Sequence, residues 1–316
     1  MPSNDPAGAP APQRSVMLAA AVTVVLWASA FIGIRAAGHD FTPGALTLGR
    51  IAVGTVALTI IAAVAGRFRL DRVTGRLPQG FPRGRVLAGV LVWGVLWFGV
   101  YNVTLNAAER TLDAGTASLL VQLAPILTAL VAGFTLGEGF PARLLTGIGV
   151  AFTGVAVIAW ASSSGSSDLG AVLLGIASAV LYSIGALLQK RLLPSVDALT
   201  MTWLGCLAGT VAALPFAGAL VADLAAASPS ATLGVVYLGV FPTAIAFLTW
   251  AYALSHTTAG RLSATTYVVP PIAVLLSWWL LGEVPTPVVL VGGALSIAGV
   301  VIATRKPAAR TAVPAR

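Results

Sequence analysis

Apolar residues run along this chain in blocks of about twenty, parted by short polar links that carry glycine, proline and arginine. A bilayer core is crossed by about 20 apolar residues in a helix. The pattern predicts ten such helices, at 15–35, 43–65, 85–107, 115–136, 143–161, 169–189, 198–218, 232–254, 261–281 and 287–304. Most of the links are brief. The Pro- and Ala-rich residues 1–14 read as a disordered cytoplasmic N-terminus and 305–316 as a cytoplasmic tail. Ala28-Ser29-Ala30 resembles a signal-peptidase site, but the apolar run is longer than a signal core and continues past it. The first block is therefore expected to be a retained helix.

The second half of the chain repeats the first. Leu112-Asp113-Ala114-Gly115-Thr116-Ala117-Ser118, Pro125, Leu136-Gly137-Glu138, Gly147 and Gly154 return 145 residues later. They reappear as Thr257-Thr258-Ala259-Gly260-Arg261-Leu262-Ser263, Pro270, Leu281-Gly282-Glu283, Gly292 and Gly299. In the first helices, Leu26-Trp27 and Arg35 return at an offset of 155 as Leu181-Tyr182 and Lys190. The two units are 15–161 and 169–304. Five crossings per unit is an odd number, so the second copy is expected to lie inverted in the membrane, as in many carriers.

Composition narrows the class. Hydrophobic residues make up 58% and charged residues 9%, against roughly 25% charged in a soluble domain. The bilayer must be the solvent. The net charge of +8 would suggest nucleic acid in a soluble protein. Here the positive residues sit in the links, where they set orientation. With a cytoplasmic N-terminus and ten crossings, 15 of the 18 Lys and Arg residues fall inside. Only Arg35, Arg50 and Arg110 fall outside, which places the chain in the inner membrane with both termini cytoplasmic. Cys206 stands alone in an apolar block, and His39 and His256 lie far apart, so no disulfide or metal pair is expected.

The string Pro125, Leu136-Gly137-Glu138, Gly147, Gly154, its copy in the second half, Trp27-Ala28-Ser29-Ala30-Phe31 and Arg50 together resemble the drug/metabolite transporter superfamily, in its EamA-type ten-helix members. The resemblance covers residues 15–304. It implies an all-α integral membrane fold, two inverted five-helix repeats around a central cavity. The first four helices of each half would line that cavity and the fifth would lie behind. It also implies export of amino acids, other metabolites or drugs. The chain departs from the family in ending its first helix on Arg35, where lysine is more usual.

Candidate chemistry follows from polar groups at depth. Pro125, Pro270 and Pro271 fall mid-span, where proline bends a helix and frees a carbonyl; they read either as paired hinges or as fixed kinks. Gly147, Gly149, Gly154, Gly292, Gly293 and Gly299 make smooth faces for close helix packing, and such faces also allow a homodimer. Glu138 and Glu283 sit at membrane edges and read as boundary residues, their charge pairing at the next helix. Arg35 and Lys190 are helix-end residues that snorkelling explains. Arg50 lies about two turns, roughly 10 Å, inside its helix. It is read either as counter-ion to a substrate carboxylate or as partner of Asp113 or Glu109.

In the third helix Trp93, Trp97 and Tyr101 share one face, with Asn102 and Asn106 beside it. Trp93 and Trp160 suit interfacial positions. Trp27, Ser29, Gln122, Tyr182, Trp203, Trp250 and Tyr267 add aromatic and polar groups in other helices. With Arg50, Trp97, Tyr101, Asn102 and Asn106 they form the expected amphipathic binding pocket. No Asp or Glu stands mid-span, so either proton coupling uses an edge residue such as Glu109 or Asp113, or the cargo equilibrates without it. No phosphate-binding loop is present, so ATP is not expected to drive transport. No cofactor and no nucleic-acid partner are expected; the partners are a small molecule and the lipid bilayer. The expected function is alternating-access export of a small amphipathic metabolite, with a multidrug exporter as the alternative. An intramembrane enzyme would need an Asp pair, His-Glu-x-x-His or Ser with His at depth, and none is found.

Overall fold

The computed structural model describes residues 13–66, 81–124, 126–127, 142–163, 169–257, 262 and 265–304. Pro125, Glu138, residues 1–12 and the tail 305–316 lie outside the described residues. Every regular element described is a helix. They are α1 (Gln13–Ala37), α2 (Pro43–Val64), α3 (Gly84–Gly94), α4 (Tyr101–Ala108), α5 (Ala114–Val121), α6 (Ala142–Ser163), α7 (Leu169–Leu192), α8 (Ala198–Ala213), α9 (Ala217–Ala226), α10 (Pro229–Leu238), α11 (Ala246–His256), α12 (Val269–Leu281) and α13 (Pro287–Thr304). Six helical stretches are long and apolar enough to cross a membrane: Gln13–Ala37, Pro43–Val64, Gly84–Ala108, Leu169–Leu192, Ala198–Ala226 and Pro229–His256. The chain is thus a multi-pass membrane protein.

Two of these stretches are joined by wide π-helical turns. Val95–Val100 links α3 to α4, and Gly239–Ile245 links α10 to α11. In each, a polar side chain enters the ladder and donates to the carbonyl five residues earlier. Asn102 Nδ2 reaches the Trp97 carbonyl at 3.0 Å, and Thr243 Oγ1 reaches that of Leu238 at 2.8 Å. Pro242 explains the second turn. It has no N–H for the carbonyl of Leu238, four residues before it. The π turn carries that carbonyl to residue 243, five on, and the Thr243 hydroxyl donates to it as well.

Close approach through small residues builds the interior. Gly94 packs on the backbone of Gly205, and Gly209 lies on Phe98. On α6, Gly154 faces Gly292 and Ser296 of α13, while Gly299 faces Gly147 and Ala151. The glycine faces of α6 and α13 are therefore covered by each other within one chain.

Caps and ion pairs gather the helix ends. Asp40 Oδ2 accepts from Ser228 N and Oγ at 2.9 and 2.7 Å, which lowers the Asp40 pKa below its ordinary value. Asp223 Oδ2 accepts from Thr42 N and Oγ1 at 2.7 and 2.8 Å. The α1–α2 and α9–α10 links thus meet at one end. At the same end the Arg35 guanidinium pairs with Glu283 at 2.7 Å and donates to the carbonyls of Glu109 and Arg110 at 3.0 and 2.9 Å. Lys190 Nζ instead donates to the carbonyls of Leu254 and Thr257 at 2.8 and 2.9 Å. Snorkelling alone does not describe Arg35 and Lys190: both hold specific partners.

Two further expectations change in detail. Trp93 is fully buried, its indole N–H donating to the Gly185 carbonyl at 3.1 Å, so it is not an interfacial residue. Trp160 is two-thirds exposed, as an interfacial residue would be. Pro270 and Pro271 do not interrupt a continuous helix. They fall in the first turn of α12, entered through the 3₁₀ turn Thr266–Val268, where a missing N–H leaves no ladder bond unmade.

Candidate functional site

A narrow cleft of about 50 Å³ opens inside the bundle, well below the roughly 300 Å³ of a filled small-molecule site. Helix α1 contributes Trp27, Ala30, Phe31 and Ile34, and α2 contributes Arg50. The π turn and α4 contribute Trp97, Tyr101, Asn102 and Leu105. The end of α5 adds Val121, Gln122 and Ala124. From the second half of the chain come Tyr182 on α7, Phe247 on α11, Thr266 and Val269. Among the described residues, none of α6 or α13 lines it.

The walls are aromatic. Trp27 lies 4.8 Å from Trp250, 5.4 Å from Phe247 and 5.9 Å from Tyr182, centroid to centroid. Trp97 lies 5.2 Å from Tyr182 and 5.6 Å from Phe247. These separations suit edge-to-face and offset contacts, which hold rings in fixed orientations. Trp27 and Tyr182 are the residues related by the offset of 155 seen in the sequence.

Into this apolar cleft the chain places one guanidinium. Arg50 is 4% exposed, and its Nε donates to Thr243 Oγ1 at 3.2 Å. Since the Thr243 hydroxyl itself donates to the Leu238 carbonyl, its oxygen is left to accept from Arg50. The π turn thus orients the cation. Asp113, offered as a partner by the sequence, accepts from Thr116 N at 2.8 Å and caps α5 instead. Among the described residues the ion pair within 4 Å is Arg35–Glu283, not one with Arg50. Two other lining side chains, the Trp97 indole N–H and the Tyr182 hydroxyl, have buried polar atoms with no hydrogen-bond partner.

The remaining candidates divide. Gln122 lines the cleft and crosses to the second half of the chain, Nε2 donating to the Thr266 carbonyl at 2.7 Å. Asn102 lines it while its amide donates to the Trp97 and Phe98 carbonyls, both at 3.0 Å. Ser29, Asn106, Trp203, Trp250 and Tyr267 are not among the lining residues. Ser29 bonds Tyr237 at 2.6 Å, Asn106 donates to Thr47 at 2.9 Å and Trp203 to Thr59 at 2.9 Å. Trp250 supports Trp27 from behind and donates to Gln189 at 3.1 Å. Sequence reasoning missed Phe247 and Thr243. The mid-span proline beside Thr243 was a readable signal; Phe247 is one apolar residue among many and carried none.

The same architecture occurs elsewhere. A solved crystal structure superposes with a TM-score of 0.61 over 93% of this chain and 97% of its own, at 21% identity. A "Probable terminal-alkyne amino-acid exporter" of Streptantibioticus cattleyicolor is 38% identical over 92% of this chain and 93% of its own. An uncharacterized transporter of Bacillus subtilis is 33% identical, covering 90% of this chain and 89% of its own. A "Probable amino-acid metabolite efflux pump" of Salmonella typhimurium is 24% identical over 90% and 92%. The model of the EamA-like transporter family matches twice, at residues 14–160 and 169–305, and the chain belongs to that family.

Proposed function

We propose that this chain exports small amphipathic metabolites, amino acids or similar organic molecules, across the inner membrane by alternating access. The observation that carries the reading is Arg50, a guanidinium buried in an aromatic cleft and held by a hydroxyl rather than a carboxylate. A carboxylate on the cargo would complete it with paired charge-assisted bonds. The unpaired Trp97 N–H and Tyr182 hydroxyl add polar contacts, and the rings take an apolar side chain. Relatives named for amino-acid export agree with this cargo class.

The finer architecture proposed is ten crossings in two inverted units, 15–161 and 169–304, with cytoplasmic termini. Several features support it. The π turns at Val95–Val100 and Gly239–Ile245 lie about 145 residues apart, the offset of the sequence repeat. Arg35 and Lys190, an offset pair, each grip the carbonyls that follow the third crossing of their unit. The distribution of Lys and Arg supports the orientation. Within this frame Trp27, Ser29, Arg50, Trp97, Tyr101, Asn102, Asn106, Gln122, Tyr182, Trp203, Trp250 and Tyr267 form the cargo site and its support, and the 3₁₀ entry to α12 before Pro270 and Pro271 flexes as it opens.

Counterflow in proteoliposomes tests the reading. Vesicles preloaded with unlabelled leucine or propargylglycine should accumulate the labelled compound transiently, as a carrier does and a channel does not. Arg50→Ala should lower apparent affinity for these zwitterions by one to two orders of magnitude, from loss of a charged bond of about 1.5–3 kcal/mol. Counterflow of quaternary ammonium drugs with none of amino acids would support a multidrug exporter instead.

A further inference from the structure

One buried acid has no part in the cleft. Glu109 caps the C-terminal end of α4 and is 1% exposed, yet neither carboxylate oxygen has a hydrogen-bond partner. Three residues earlier on the same helix, Asn106 Oδ1 is also buried and unpartnered. The amide orientation there is fixed. Thr47 Oγ1 donates to the Pro43 carbonyl at 2.8 Å, so it accepts from Asn106 Nδ2. Residues three apart are neighbours on a helix surface. Three buried acceptor oxygens, three residues apart on one helix, thus have no donor, which points to a missing cation.

The surrounding charges narrow its identity. Arg50 on α2 and Arg35 on α1 act on Glu109 as positive charges, and Asp113 before α5 and Glu283 after α12 as negative ones. Tyr101 lies on its own helix and Arg110 beside it. Arg35 spends its donors on the main-chain oxygens of Glu109 and Arg110 and on Glu283, not on the Glu109 carboxylate. Two guanidinium groups within electrostatic reach disfavour a metal cation, which also needs several oxygen ligands. A proton has no such requirement. It turns one acceptor of Glu109 into a donor, which Asn106 Oδ1 then accepts.

We propose that Glu109 is the proton-binding group through which this carrier couples cargo export to proton entry, an inference that rests on the exporter reading above. Glu109 stands one residue beyond the Gly84–Ala108 crossing. In the proposed orientation this is the outer end. Burial, against the pull of Arg50 and Arg35, holds its carboxyl well above the usual carboxylate range. One proton binds from outside as one cargo molecule leaves. The neutral carboxyl permits the return with an empty cleft, and the proton is released to the cytoplasm when the cleft faces inward.

The test uses the full chain in proteoliposomes with labelled propargylglycine as probe. Counterflow at equal pH measures the carrier alone. An imposed pH gradient should then drive uphill accumulation and a matching change in a trapped pH-sensitive dye. Glu109→Gln should lose both gradient responses while counterflow remains measurable. Full retention of gradient drive in that variant would overturn the proposal, as would drive by a sodium gradient alone in the unaltered protein. Absence of counterflow would count against the exporter reading instead. A second measurement then decides the proton site without cargo. The infrared band of a protonated carboxyl should persist in the unaltered protein above the pH range in which ordinary carboxyls lose it, and that persistent band should be missing from Glu109→Gln. A spectrum without that band would overturn the assignment.

Discussion

At the scale of single residues, the chemistry depends on a relay of three groups. Arg50 Nε donates to Thr243, and Thr243 Oγ1 donates to the Leu238 carbonyl, which Pro242, lacking an N–H, cannot serve. Each link answers a cost that lipid imposes, since nothing in a membrane interior can hydrate a stranded carbonyl or guanidinium. Replacing Thr243 by Val keeps the shape and removes the hydroxyl from both bonds. Stability should fall by about 1–3 kcal/mol, the range for a buried polar group left without its partner. Thr243→Ser should recover most of it. Thermal unfolding in detergent gives the comparison, and equal midpoints for the Val and Ser variants would show that the relay contributes nothing.

At the scale of elements, helices are packed by glycines at different tolerances. A Cβ on Gly94 would enter the backbone of Gly205, which cannot rotate away. On Gly149 it would meet nothing within 4 Å. Gly94→Ala should destabilise by roughly 1–3 kcal/mol, the cost of overpacking. Gly149→Ala should be neutral or stabilising by a few tenths up to about 1 kcal/mol through higher helix propensity. Unfolding midpoints of the two variants measured side by side check the contrast.

The same distinction governs what was legible beforehand. Length and hydropathy suffice to read a crossing such as Gln13–Ala37, because every residue in it answers to one solvent. The register inside Val95–Val100 was not legible. A regular helix puts Trp93, Trp97 and Tyr101 on one face, but the π turn widens the spiral. Trp97 and Tyr101 then line the cleft, while Trp93 is buried against Gly185. Arg50 was legible as a deep cation, but not its partner. Thr243 lies 193 residues away, and only the three-dimensional pairing of α2 with the second π turn brings it near. The tie between Arg35 and Glu283 was hidden for the same reason, since each residue taken alone is adequately explained by a helix end.

At the scale of the whole molecule, that tie joins the two halves of the chain at one end. Arg35 on α1 binds Glu283 beyond α12 and the carbonyls that close α4, so three helix ends are fastened together. Among the described residues Lys190 reaches the carbonyls of Leu254 and Thr257, both within its own half. The described structure is thus latched across the halves where Arg35 sits, and opening there must break the ion pair. Both side chains are about one-fifth exposed, so water weakens the pair, and such contacts contribute up to about 1 kcal/mol. The two carbonyl bonds bring the latch to roughly 1–3 kcal/mol, since hydrogen bonds from a charged donor hold more than neutral ones. Releasing a two-state equilibrium by that amount shifts it by about 5- to 150-fold. Arg35→Gln should therefore favour the form open at this end. With Cys206 replaced by Ser and a cysteine placed at Ala30 on the cleft wall, labelling by a membrane-impermeant maleimide from the outer face should speed up accordingly. Glu283→Gln should give a smaller increase, because it leaves the carbonyl bonds in place. Equal labelling in all three proteins would mean that the latch does not hold the closed form. Faster labelling from the cytoplasmic face alone would mean that the chain threads the membrane in the opposite sense, with Arg35 at the inner surface.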